Sequence, residues 1–198
     1  MRILLLLAPL TLALTACGRS QSYNTKTPCV RNPEGTPELS LQLANGMPRV
    51  WNKEKCIPVT VSPSLTKLKP TLQAALDAWD SIGCTGVCFE AMVEAKEPPA
   101  NDFDLRLHVH DVGSGSGTQW ELLNDGRTGR TLHATIFVTN ASTVGDLMRQ
   151  LGFVLGFEAS PKGGRDTILE DPDVPSLRME LGSIDRQSVC AVYPACSQ

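Results

Sequence analysis

One segment, residues 143–159, constrains the fold of this chain most, because it carries the signals of a complete helix. Thr143 followed by Asp146 is the arrangement of a capping box at a helix start. Apolar residues then recur at helical spacing, and Gly156 can end the helix in the left-handed conformation. The apolar stripe is broad and comprises Val144, Leu147, Met148, Leu151, Val154 and Leu155. The segment therefore predicts a helix from Thr143 to Gly156.

Two further stretches predict helices. Residues 64–82 carry apolar side chains at helical spacing, and Pro70 is tolerated only in the first turn of a helix. A helix that begins between Lys67 and Lys69 is therefore expected. Residues 183–193 predict a helix that closes the chain.

Three stretches predict strands. Residues 104–110 and 132–139 alternate apolar and polar side chains, as half-buried strands do. Residues 56–62 form a β-branched run, but Pro58 restricts it to an edge strand or to one that begins late. Residues 113–129 are rich in Gly, Ser and Asp and predict a long loop.

The N-terminus resembles the export signal of a bacterial lipoprotein. A positive start at Arg2 precedes an apolar run over residues 3–14, about a dozen residues where spanning a bilayer takes about 20. Leu14-Thr-Ala-Cys17 is similar to a lipobox, in which the chain is cut before the cysteine and the cysteine is acylated. A signal for retention in the inner membrane would have Asp directly after the lipobox cysteine, and this chain has Gly18 there. The outer membrane is therefore the expected location.

These patterns divide the chain into three parts. Residues 1–16 are the expected lipoprotein signal peptide. Residues 17–46 are the expected lipidated N-terminus and flexible tether, with one edge strand, and residues 47–198 are the expected globular domain. Acyl chains on Cys17 would supply at least two anchors, enough for stable membrane attachment.

The charge balance excludes some partners. Removing residues 1–16 takes away Arg2, which leaves 17 basic and 21 acidic residues and a formal charge of −4. Lys and Arg form no cluster along the sequence. Neither nucleic acid nor an anionic lipid surface, beyond the acyl anchor, is therefore expected as an electrostatic partner.

Cysteine usage predicts a disulfide framework. Six cysteines remain besides Cys17, and an even count in an exported chain favours disulfides. The six are Cys29, Cys56, Cys84, Cys88, Cys190 and Cys196. Proximity in sequence suggests that 84 pairs with 88 and 190 with 196, which leaves 29 with 56, although the sequence does not choose among the pairings. A zinc site at 84 and 88 is the weaker alternative, because no second ligand pair lies at metal-site spacing.

The order of these elements resembles the catalytic domain of the metzincin metalloproteases, of the matrixin-like bacterial type. A Trp precedes a Cys and a strand over Trp51 to Val61, and Ala74 to Trp79 is similar to the A-x-x-x-W first helix of that family. The strand from Ala134 to Asn140 leads into the capped helix. Ser176 to Met179 stands where the family carries its Met-turn, and residues 183–193 are similar to its closing helix.

The resemblance implies an α+β, metzincin-like fold. Its twisted, mostly parallel mixed sheet would pack on two long helices, with a C-terminal closing helix and disulfide staples. In the family signature H-E-x-x-H-x-x-G-x-x-H, three His bind zinc and the Glu is the general base. Here the ligand positions hold Arg149, Phe153 and Ala159, and the base position holds Gln150. Phe and Ala offer no lone pair, Arg is permanently charged, and Gln cannot take a proton from water.

These replacements predict a catalytically inactive domain without catalytic residues, zinc or another cofactor, which serves as a binding or structural module of the envelope. The expected partners are the membrane, through the lipid, and an envelope protein or peptide in the former active-site cleft, where an extended segment can add a strand. Met148, Arg149 and Phe153 are expected to serve packing or contact with a partner.

Two alternatives stay open. A working zinc-dependent metalloendopeptidase would need another ligand set, and His108, His110 and His133 are the only histidines in the chain. The first two share one face of a strand, the third lies on a second strand, and Asp111 is the nearest carboxylate. Under the other interpretation, these histidines bind no metal and lie on a polar side of the sheet that faces solvent. The second alternative is that the resemblance is accidental and the chain is an unrelated disulfide-stapled lipoprotein.

Overall fold

The computed structural model describes residues 39–51, 56–82, 86–95, 106–113, 119–160, 166–169 and 178–193. These residues form an α+β fold with a mixed, mostly parallel sheet, as predicted. The described helices are α1 (Lys69–Asp80), α2 (Val144–Val154) and α3 (Ser183–Val192). The described strands are β1 (Leu43–Ala44), β2 (Met47–Pro48), β3 (Val59–Val61), β4 (Val93–Glu94), β5 (Arg106–Asp111), β6 (Gln119–Asn124) and β7 (Thr131–Val138). The expected signal peptide and the lipidation site at Cys17 lie outside the described residues.

Five strands form the main sheet in the order β4-β3-β5-β7-β6. The first four run parallel, and β6 runs antiparallel to β7 at one edge. β3 begins at Val59, directly after Pro58, which matches the late start allowed by the proline. β6 corrects the sequence analysis, because residues 119–124 lie within the stretch predicted to be a long loop. Half-buried and exposed side chains alternate along β6, and β7 supplies the backbone partner that so short a strand needs.

The helices begin where their sequence signals place them. Pro70 lies in the first turn of α1. At the start of α2, the Thr143 hydroxyl accepts a hydrogen bond from the Asp146 N–H at 3.1 Å, and the Asp146 carboxylate accepts one from the Thr143 N–H at 3.2 Å. Gly156 follows α2 with a φ of 96°. These predictions, and the closing helix α3, are confirmed.

The core is built around α2. Every side chain of this helix from Leu147 to Val154 is buried. On α1, the indole of Trp79 donates a hydrogen bond to the Met148 carbonyl group of α2 at 2.9 Å. Buried aliphatic side chains of the sheet and of α3 complete one apolar cluster, and full burial of each contributes about 1.5–3 kcal/mol. Among the described residues, no helix combines the length and the apolar character that crossing a membrane requires.

The folded domain begins before residue 47. Leu39 is buried, and its N–H donates to the hydroxyl of Ser188 on α3 at 3.0 Å. Strands β1 and β2 form a hairpin whose turn residues, Asn45 and Gly46, have φ values of 52° and 78°. Residues 39–46, which the sequence analysis assigned to the tether, thus belong to the domain, because partners far along the chain hold them in place.

A disulfide joins Cys56, just before β3, to Cys88, which is 32 residues away in sequence. The pairings suggested by proximity, 84 with 88 and 29 with 56, are therefore wrong. The segments before β3 and β4 run side by side, and this parallel arrangement brings the two sulfur atoms together. Cys190 on α3 is also disulfide-bonded. Three further candidates lie outside the described residues: Cys29, Cys84 and Cys196.

Candidate functional site

The positions that correspond to the zinc-protease signature lie on and just after α2, in the interior of the domain. Arg149, Gln150 and Phe153 expose 2%, 0% and 2% of their surface. Ala159 is half-buried and packs against the core. Packing within the domain accounts for the three helical side chains, since none of them reaches the surface.

Arg149 brings a positive charge into this interior. Its Nη2 lies 3.4 Å from Oδ1 of Asp146, which is one helical turn earlier. The same carboxylate closes the capping box with Thr143, so a single acidic group both caps α2 and faces the guanidinium. The positive charge of this guanidinium would repel a zinc ion at the same position.

Aromatic packing surrounds Phe153, the residue at the second ligand position of the resemblance. The ring centroids of Phe153 and of Trp120 on β6 lie 5.7 Å apart, with the ring planes at 33°. A pair of this kind contributes about 0.5–1.5 kcal/mol beyond the area it buries. Sequence reasoning missed Trp120 because it lies in the predicted loop. The signal that could have found it is the alternation of Trp120 and Leu122 with the polar residues Gln119 and Glu121.

The C-terminal end of α2 is tied to distant parts of the chain by side-chain donors. Carbonyl groups at such an end have no partner within the helix. Here the amide of Gln42 donates to the carbonyl groups of residues 153 and 157, at 3.0 and 2.8 Å. The indole of Trp51 donates a hydrogen bond to the carbonyl group of Val154 at 2.8 Å. The hydroxyl of Tyr193 donates one to the carbonyl group of Leu155 at 2.6 Å. Burial raises the pKa of the Tyr193 phenol, which keeps it a donor.

The histidines lie on the opposite face of the sheet from Trp120. The solvent-facing side predicted for β5 is wrong, because Arg106 and His108 are only 8% and 1% exposed. His133 lies opposite Arg106 in the register of β5 and β7, rather than opposite a histidine. The described residues include His108, His110 and His133, yet they contain no group of three His, Cys, Asp or Glu side chains placed to hold a metal ion.

His108 is the most buried of the three histidines. Its Nδ1 lies 2.9 Å from the hydroxyl of Thr60 on β3, and its ring centroid lies 5.9 Å from that of His110. Burial is the main cause that lowers the pKa of His108 to about 4, followed by the nearby His110, His133 and Arg106. Burial and Arg106 also lower the pKa of His133. These two imidazoles are therefore neutral at neutral pH.

Met179 and Asp185, in the stretches near the C-terminus that resemble the family, differ in burial. Met179, at the position similar to the Met-turn, is 59% exposed and does not enter the core. Asp185, in the first turn of α3, is fully buried. Its carboxylate accepts hydrogen bonds from the Thr167 hydroxyl and from the N–H groups of Ile168 and Gly182. Burial raises the pKa of Asp185, while these bonds lower it. Asp185 therefore joins α3 to the segment over residues 166–169.

The described residues thus define a disulfide-bonded α+β domain with a mostly parallel mixed sheet. No protein-family model and no curated protein matches the sequence. The function has to be inferred from the chemistry of the chain itself.

Proposed function

We propose that this protein is a lipoprotein of the cell envelope, anchored at Cys17, with a catalytically inactive metzincin-like domain that acts as a binding or structural module. The lipobox-like residues Leu14 to Cys17 support the anchor. The mostly parallel sheet, with α1 and α2 packed against it, supports the metzincin-like arrangement.

One observation carries the proposal: the positions that would hold zinc and its base are packed into the core. Arg149, Gln150 and Phe153 are each at most 2% exposed, and the ring of Trp120 lies against Phe153. Catalytic zinc needs three lone-pair donors and an open coordination position. To create the three donors and the open coordination position, this packing would have to be broken. Binding a partner at the surface requires no such change.

The edge of the sheet at β6 is the surface best suited to a protein partner. Among the described residues, β6 pairs with a strand on one side only. An extended peptide can add to such an edge through backbone hydrogen bonds. Gln119, Glu121 and Leu123 are exposed along the strand and would contact the side chains of a partner.

Metal content and proteolytic activity test the loss of catalysis. For the tag-free full chain, we expect far less than one zinc per protein by elemental analysis, and no cleavage of a broad peptide library with or without added zinc. Phe153→His is the matched control: zinc affinity should stay low, because the other ligand positions and the base position remain unsuitable. Near-stoichiometric zinc with chelator-sensitive cleavage would contradict the proposal. His108, His110 and His133 would then be the first residues to replace.

Lipidation is tested separately. Cys17→Ser should abolish acylation and leave the protein unprocessed or released, as judged by membrane fractionation and by the mass of the N-terminal peptide. Cys29→Ser is the control, since it keeps the lipobox-like sequence and should stay acylated. Normal membrane retention of Cys17→Ser, with no acyl mass on the wild type, would refute the anchor.

A further inference from the structure

We propose that the β1–β2 hairpin and the turn between β6 and β7 together form a surface that contacts the anionic phospholipids of the anchoring membrane. We call it the hairpin surface, and it comprises Leu43, Met47, Arg127 and Arg130. The inference rests on the proposed anchor at Cys17 and deepens it, because it names the face of the domain that meets the bilayer.

Direct contacts join the two turns into one surface. The side-chain amide of Asn45, at the tip of the hairpin, donates to the Gly126 carbonyl group at 3.2 Å. Met47 packs on the backbone of the second turn so closely that a Cβ placed on Gly129 would lie 2.8 Å from the Met47 Cβ.

Exposed apolar side chains concentrate at this place. Among the described residues, five large hydrophobic side chains are exposed, and Leu43 and Met47, at 57% and 41%, both belong to the short hairpin. Leu123, at 45%, lies two residues before the second turn. The other two, Val93 and Met179, lie on separate elements, as scattered surface residues usually do.

The two faces of the hairpin differ in what they contact. Leu43 pairs with Pro48 and Ala44 pairs with Met47, so Leu43 and Met47 project from opposite faces of the two-stranded ribbon. The Met47 face packs on the turn between β6 and β7. Leu43, on the other face and 57% exposed, is free to enter the boundary between headgroups and acyl chains.

Charge points to the same partner. Arg127 and Arg130 are exposed beside the hairpin. The acid of their turn, Asp125, is engaged internally, since it accepts hydrogen bonds from the Arg127 N–H at 2.9 Å and from the Thr128 hydroxyl at 2.7 Å. Residues 39–51 contain no Asp or Glu. Basic side chains at an apolar tip complement anionic headgroups.

The proposed anchor keeps this surface near the membrane. Residues 18–38, 21 in number, separate Cys17 from Leu39. A chain of that length spans at most about 75 Å even when fully extended. Leu39 is held against Ser188, and the chain reaches Leu43 only four residues later. Anchoring at Cys17 therefore holds the hairpin within that distance of the bilayer.

Photo-crosslinking of the full, acylated chain tests the proposal. The protein is reconstituted in vesicles of phosphatidylglycerol with phosphatidylethanolamine, with photoreactive benzoylphenylalanine in place of Leu43 or, as a matched control, of Val93, which is 61% exposed on β4. We expect phospholipid adducts at position 43 in at least about fivefold excess over position 93. The combined Arg127→Gln and Arg130→Gln variant should reduce the adducts, whereas Lys67→Gln should not. In phosphatidylcholine vesicles the arginine effect should disappear.

Each outcome decides one question. Equal adduct yields at positions 43 and 93 would overturn the inference, as would crosslinking of position 43 in intact cells to a protein instead of lipid. If the N-terminal peptide of the same sample carried no acyl mass, the proposed anchor itself would fail. An acylated protein without lipid adducts at position 43 would contradict the hairpin surface alone.

Discussion

At Gly156 the chain leaves α2 with a φ of 96° and passes directly beside the backbone of Arg49. A Cβ built on this glycine would lie 1.9 Å from the Arg49 carbonyl oxygen. Both the backbone conformation and the contact therefore exclude a side chain. Arg149 and Phe153 on α2 each have a partner within the domain, since the Arg149 guanidinium faces Asp146 and the Phe153 ring lies against Trp120.

Gly156→Ala should lower the free energy of unfolding by about 3 kcal/mol or more, since left-handed strain adds to a backbone clash. Gly113→Ala is the matched control. That glycine has a φ of 64° but nothing within 4 Å of a new Cβ, so only the strain of about 1–2 kcal/mol is expected. Urea denaturation measures both losses. Equal losses would show that the contact with Arg49 contributes nothing.

His108 should make stability depend on pH. Its pKa is about 4 in the folded protein, against 6.5 for an unperturbed histidine. The unfolded chain therefore binds the proton more readily, and stability that is complete above about pH 6.5 is lost toward pH 4, by up to about 3 kcal/mol. His108→Gln stays neutral and should flatten the decrease between pH 7 and pH 5 in urea unfolding. His133 remains in both proteins and shifts them alike. An unchanged pH dependence in the variant would exclude His108 as its source.

At the scale of elements, α2 organises the domain through its two ends. The N-terminal end is capped locally, by Thr143 and Asp146. The C-terminal end is capped by Gln42, Trp51 and Tyr193, which come from the two ends of the described chain. The first kind of cap is visible in sequence. The second kind exists only after the chain has folded.

Gln42→Ala should therefore be costly for so small a change. It removes the side-chain donor from two buried carbonyl groups, of which that of Phe153 keeps the Gly156 N–H as a donor, and we expect a loss of about 1–3 kcal/mol. Gln73→Ala is the control, because the Gln73 amide makes an exposed bond to Asp77 at 2.7 Å, worth less than about 0.5 kcal/mol. Thermal unfolding separates the two variants. A melting temperature of Gln42→Ala close to that of Gln73→Ala would mean that other groups satisfy the end of α2.

The elements that sequence analysis missed are short and paired. Asn45-Gly46 is a strong local signal for a hairpin turn, and the structure has one there. It was assigned to the tether because polar, Pro- and Gly-rich sequence precedes it. β6 is six residues long between Gly-rich stretches, so its alternation is weak and its stability depends on pairing with β7.

At the scale of the whole molecule, the disulfide between Cys56 and Cys88 closes a long loop that includes β3 and α1. Replacing both cysteines by Ala should lower the free energy of unfolding by about 3–4 kcal/mol, because the unfolded chain regains the entropy of that loop. Unfolding in denaturant without reductant measures the loss, and reduction of the wild type should lower stability further, because it also breaks the disulfide of Cys190. Peptide mapping without reduction should recover Cys56 linked to Cys88. A peptide linking Cys84 to Cys88 would contradict this pairing.

The sequence by itself determined the three helices, the late start of β3 and the left-handed end of α2. Caps, prolines and apolar periodicity act within one or two turns of the chain, so their effects are local.

The tertiary structure alone decided the partner of Cys56, the burial of His108, the strand around Trp120 and the joining of residues 39–46 to the domain. Each depends on a neighbour far along the chain: Gln42 and Phe153, for example, are 111 residues apart. Such contacts form because burying apolar surface and satisfying backbone groups together outweigh the entropy of closing long loops. A local sequence pattern cannot predict this balance, because it contains no information about which distant residues come together.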